Sequence, residues 1–167
     1  MTRRIPISGD IMFDAGVYPS RYDAELSLTN VKKQACIVLP FPNGADLGFE
    51  CSFRVPDDYA SGPKFVFRGI IDGTPANAFG VGVQLLELDV SGSIDAAYEA
   101  EDVANNSTWT GYADEEEYEL SVTLTPASAL TPGRTLYLKC YRDDSVDTQT
   151  INFLLNPATS GFEYTEA

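Results

Sequence analysis

The chain contains no histidine, only 11 Lys and Arg in 167 residues, three cysteines and no long apolar run. Each shortage excludes something. Without histidine, Ser-His-Asp and Cys-His catalysis, HExxH zinc sites and most zinc clusters are ruled out, because each needs an imidazole as base or ligand. The 11 bases face 25 Asp and Glu, a net charge of −14. That balance repels phosphate backbones and anionic membrane surfaces, so neither nucleic acid nor membrane is an expected partner. No apolar stretch approaches the ~20 residues that span a bilayer. The opening MTRRIPISGD has two arginines but no apolar segment behind them, unlike a secretory signal. Cys36, Cys51 and Cys140 are odd in number and far apart. They read as reduced, small core residues of a protein made in a cytoplasm rather than as a disulfide framework.

Apolar residues make up 44% of the chain, which is enough to pack a core, and the length fits one domain of about 100–200 residues. The charge is unevenly placed. Residues 1–68 hold 8 bases and 8 acids, residues 69–133 hold 12 acids and no base, and residues 134–167 hold 3 bases and 5 acids. Within the acidic middle block, residues 87–119 are expected at solvent, where they maintain solubility, suit salty surroundings or keep strand edges of separate copies apart.

The apolar pattern has a period of two nearly throughout. In LGFECSFRV (47–55), Leu47, Phe49, Cys51, Phe53 and Val55 share one face, which indicates a strand buried on one side. The same alternation predicts strands over 64–72, 77–89, 117–124, 134–142 and 149–155, with weaker ones at 35–41 and 161–165. In 77–89 the glycines Gly80 and Gly82 stand opposite the apolar face, where a close neighbour or a bulge fits. Turn signals separate the strands: Pro42-Asn43-Gly44, Pro56-Asp57-Asp58, Ser61-Gly62-Pro63, Asp72-Gly73, Pro132-Gly133 and Asp143-Asp144. The best helix candidate is SIDAAYEAEDVA (93–104), with Ser93 as its cap. About eight short strands with Gly and Pro turns predict an all-β, jelly-roll-like β-sandwich over 35–167. Residues 1–34 lack the alternation and carry five bases, Arg3, Arg4, Arg21, Lys32 and Lys33. They read as an extended arm and irregular lead-in, either laid over the domain or docked on a neighbouring subunit or acidic partner.

Few residues point to chemistry. Without histidine, catalysis would need paired carboxylates about 5–10 Å apart. The candidates Asp57/Asp58 and Glu115/Glu116/Glu117 sit in turn-like, solvated stretches, whereas a raised carboxyl pKa needs burial. A non-enzymatic protein without a cofactor is therefore expected. Asp143, Asp144 and Asp147 fall within five residues of a turn. They are the one candidate for a hard cation such as calcium. The sequence lacks EF-hand spacing, and a solvated hairpin turn explains the same residues. Trp109, with Tyr112 three positions on, is the best small-ligand patch, able to stack on a sugar, but a half-buried Trp closing one end of the sandwich is the more common role and the favoured one here.

Three segments carry a family resemblance: FRVPDDYASG (53–62), LELDVSGSIDAA (86–97) and LTPGRTLYLKCYRDDSVDT (130–148), followed by a last strand pair ending at Tyr164. Their order resembles small β-sandwich virion proteins of tailed bacteriophages, among them jelly-roll capsid decoration, or cement, proteins. The resemblance covers residues 35–165 and consists of turn and strand signatures. It implies a structural protein of the virion, assembled in the host cytoplasm, whose partner is the major capsid protein. It also implies a homotrimer sited between capsomers, and an N-terminal arm reaching neighbouring subunits. Other members of this group sit on tails or fibres, so a tail-associated, carbohydrate-recognising module is the alternative.

Overall fold

The computed structural model describes residues 1–7, 37–39, 46–93, 95–108 and 116–167. Among them the chain is all-β, with ten strands in two antiparallel sheets. The strands are β1 (Thr2–Pro6), β2 (Ile37–Leu39), β3 (Leu47–Arg54), β4 (Tyr59–Asp72), β5 (Phe79–Leu88), β6 (Asp102–Asn106), β7 (Glu117–Thr123), β8 (Thr135–Arg142), β9 (Asn152–Leu155) and β10 (Gly161–Glu166). One sheet has the order β3-β8-β5-β6. The other is built around the long β4. Strand β7 lies along one edge of it, and β10 and β9 share the opposite edge end to end, with β1 outside β10 and β2 outside β9. Between β9 and β10 the chain makes an excursion over 156–160. Ser160 repairs the ladder there: its hydroxyl accepts from the Arg68 N–H (2.9 Å) and donates to the Arg68 carbonyl (2.8 Å).

The two sheets face each other through the residues that the alternation places inward. Phe49, Cys51, Phe53, Val81, Val83, Leu85, Leu136, Leu138 and Cys140 come from one sheet, and Phe65, Phe67, Ile71, Tyr118, Val122, Phe153, Leu155, Phe162 and Tyr164 from the other. Aromatic rings bridge the gap, with centroids at 4.9 Å for Phe79–Phe153 and 6.0 Å for Phe53–Phe162. Such tilted pairs add to the stabilisation from buried apolar area. Cys51 and Cys140 are buried free thiols, and burial pushes the Cys140 thiol well above its ordinary pKa.

One predicted element is corrected. Residues 93–104 are not a helix among the described positions. Ser93 instead caps a turn, its Oγ accepting from the Asp95 N–H, and Asp102–Asn106 pairs with β5, Asp102 opposite Val83 and Asn106 opposite Phe79. Strand pairing overrides the local helix preference of an Ala- and Glu-rich stretch. At the start of the expected arm, residues 2–6 form an edge strand paired residue for residue with β10, Thr2 opposite Thr165 and Pro6 opposite Gly161. Arg21, Lys32, Lys33 and Cys36 lie outside the described residues, as does the rest of 8–36.

Candidate functional site

Strands β3 and β5 begin, and β6 and β8 end, at one end of the sandwich. The β8–β9 turn (143–151) closes that end and is held by an unusual anchor. The inward positions of β8 run Leu136, Leu138, Cys140, Arg142, so the alternation drives a guanidinium into the core, where Arg142 has no solvent exposure. The turn supplies its counterion. Asp147 Oδ2 accepts from Nε at 2.5 Å and Oδ1 from Nη2 at 2.9 Å, the carbonyls of Gln149 and Ile151 each accept at 2.8 Å, and the Phe79 ring lies 5.3 Å beneath. Charge burial on this scale is tolerable only because the guanidinium is paired and hydrogen-bonded.

Asp147 is therefore the Arg142 partner and does not join Asp143 and Asp144. Asp46, just before β3, takes that place: one carboxylate oxygen from each of Asp46, Asp143 and Asp144 lies within 4.8 Å of the others. The Asp144 N–H donates to Asp46 Oδ1 at 3.2 Å. Asp143 is 2% exposed; its Oδ1 accepts from the Ser145 N–H at 2.9 Å, and its buried Oδ2 has no hydrogen-bond partner. Burial first, and then the like charges of Asp144 and Asp143, push the Asp46 carboxyl above its ordinary pKa, against the pull of the Asp144 N–H.

The other nominated groups are placed as follows. Arg3 pairs with Asp58 (3.2 Å) and Glu166 (2.5 Å), and Arg4 with Glu119 (3.0 Å) and Glu163 (2.9 Å). They line an open groove of about 430 Å³ together with Arg68, whose partners are Glu117 (2.8 Å) and Glu119 (3.8 Å). Asp57 faces solvent beside Arg54, and Asp58 accepts from the Tyr164 hydroxyl at 2.9 Å. These carboxylates are engaged in surface pairs. Trp109, Tyr112 and Glu115 lie outside the described residues. Among the described residues no helix is long and apolar enough to cross a membrane.

Sequence reasoning missed Asp46 and Arg142. Asp46 stands almost a hundred positions from Asp143, with no local signal linking them. Arg142 was legible, since extending the β8 alternation by one step puts a base on the core face and calls for an acid in the next turn. No family model, curated protein or solved structure matches the chain.

Proposed function

We propose that the chain is a non-enzymatic structural protein of a tailed-bacteriophage virion. In this reading it decorates and cements the capsid by binding the major capsid protein as a homotrimer. The observation that carries the reading is the strand order. The chain changes sheets at β2→β3, β3→β4, β4→β5, β6→β7, β7→β8 and β8→β9, and keeps to one sheet at β1→β2, β5→β6 and β9→β10. Counting β9 and β10 as one interrupted strand and setting β1 aside leaves four strands in each sheet, which supports reading the sandwich as a jelly roll. It is the fold that the resemblance over 35–165 implies.

The charge pattern supports a mechanical role. Arg3, Arg4, Arg54, Arg68, Arg134 and Arg142 all pair with acids of their own chain. Arg21, Lys32 and Lys33, which follow β1 in the sequence, are the bases this reading offers to a neighbour. Many copies that recognise only the assembled shell stabilise it by linkage and avidity, and a cyclic trimer suits a threefold site.

The test is co-sedimentation of the purified chain with expanded shells of the phage that encodes it. Sedimentation equilibrium is run in parallel. The expected results are saturable binding and a species of three times the 18.2 kDa chain mass. Reversing Arg21, Lys32 and Lys33 to Glu leaves β1 in place and is expected to abolish binding. Full occupancy by that variant would remove the anchoring role of this segment, and no binding by the parent chain would overturn the reading.

A further inference from the structure

The geometry points to a divalent-cation site, with calcium the preferred ion, formed by Asp46, Asp143 and Asp144 at the loop end of the sandwich. Asp143 is 2% exposed, and its Oδ2 is, among the described residues, the buried side-chain polar atom without a hydrogen-bond partner. A buried carboxylate oxygen left alone is strongly destabilising, and a bound ion is one of the few things that satisfies it. The second observation is the convergence of three carboxylates from two distant parts of the chain, with oxygens within 4.8 Å of one another. Calcium–oxygen distances are about 2.3–2.6 Å, so two ligands of one ion span up to roughly 5 Å. Calcium also tolerates the irregular, variable shells that carboxylates on a turn provide, whereas magnesium demands a near-ideal octahedron.

The ion pairs among the described residues include none of the three. The guanidinium of Arg142, next to Asp143 in the chain, is committed to Asp147 and to two carbonyls of the turn. That commitment also sets the site: it fixes the β8–β9 turn so that Asp143 points inward and Asp144 reaches Asp46 through its N–H. Three carboxylates, one-toothed or two-toothed, supply three to six of the roughly six to eight oxygens calcium takes, and water completes the shell. The ion would add to the ladder and to the Asp144–Asp46 hydrogen bond in tying the start of β3 to the end of β8. The site is independent of the capsid reading.

The experiment uses the full chain, stripped with EDTA and held at constant ionic strength. Calcium chloride alone is added and followed by isothermal titration calorimetry and by the thermal midpoint. Binding in the range of about 10⁻⁴ to 10⁻³ M or tighter is expected, because open sites of this kind fall there. The midpoint is expected to rise with calcium concentration, as ligand linkage requires. Asp143→Asn and Asp46→Asn are each expected to weaken binding at least about tenfold and to remove the midpoint shift. Asp46 is only partly buried, so its variant reports even if Asp143→Asn fails to fold. Asp95→Asn, on an exposed turn, is expected to bind as the parent does. No calcium-dependent shift, an equal response to magnesium, or unchanged affinity in Asp46→Asn would overturn the assignment.

Discussion

Arg142 shows what one side chain does to this molecule. Its guanidinium is fully buried and its Asp147 partner is also fully buried, so removing either side leaves a charge in the core with nothing opposite. Asp147→Ala is expected to lower the unfolding free energy by about 3–5 kcal/mol. The check is urea denaturation at neutral pH; a loss under about 1 kcal/mol would show that the pair holds little, as for exposed pairs. The buried phenols make a second prediction. Burial, and then the neighbouring Glu50 carboxylate, push Tyr98 up to about 12. Burial also raises Tyr59, Tyr141 and Tyr164, with Tyr141 donating to Glu101 and Tyr164 to Asp58. A phenol whose folded pKa exceeds its unfolded value of about 10 favours folding fully below pH 10, and that contribution disappears as pH rises through the folded value. Stability is therefore expected to hold up to about pH 10 and fall between there and about 12. A subset of the nine tyrosines should ionise only as the fold opens, read by phenolate absorbance beside circular dichroism. Ionisation of all nine near pH 10 in a chain still folded would contradict this.

At the scale of elements, β1 is the part whose attachment is most easily tested. At Gly161, opposite Pro6, a Cβ would stand 1.9 Å from the Ile5 carbonyl oxygen, which is backbone and cannot step aside. Gly161→Ala is expected to loosen β1 from β10 while the two facing sheets stay packed. Amide exchange of residues 2–6 should then rise well above that of β5 and β8. Uniform exchange across all strands would mean that β1 is integral to the core. Most strands were legible because one face of each is buried, and burial writes a period of two into 47–55, 117–124 and 134–142. The close approaches predicted at Gly80 and Gly82 are present: a Cβ on Gly80 would meet the Asp147 backbone nitrogen at 2.9 Å, and one on Gly82 the Tyr141 ring at 2.6 Å. Strands β1 and β6 escaped notice because edge pairing needs little apolar alternation. β1 is Thr, Arg, Arg, Ile, Pro, and β6 is Asp, Val, Ala, Asn, Asn. The start of β4 escaped for a related reason: Gly62 and Pro63 read as a turn, yet Tyr59 and Ser61 pair with Glu166 and Thr165 across a bulged register. The acid cluster was half legible. Asp143 and Asp144 announce themselves as a turn pair, whereas Asp46 joins them only through the β3–β8 ladder.

For the whole molecule the governing quantity is charge. A net −14 repels itself, while the exposed ion pairs such as Arg54–Asp57 and Arg68–Glu117 contribute at most about 1 kcal/mol each. Raising sodium chloride from near zero to about 0.15 M, where the screening length is about 8 Å, is therefore expected to raise the thermal midpoint. A fall would show that the surface pairs outweigh the general repulsion. The proposed shell contact is accordingly assigned to Arg21, Lys32 and Lys33, the bases that follow β1 in the sequence. The most direct test of the proposed role is electron cryomicroscopy of the virion that carries this protein, at a resolution that separates its two sheets. The expected map shows three copies of the sandwich around threefold positions between capsomers, with the segment after β1 against the major capsid protein. Density for the chain on the tail or fibres, or none on the particle, would contradict it.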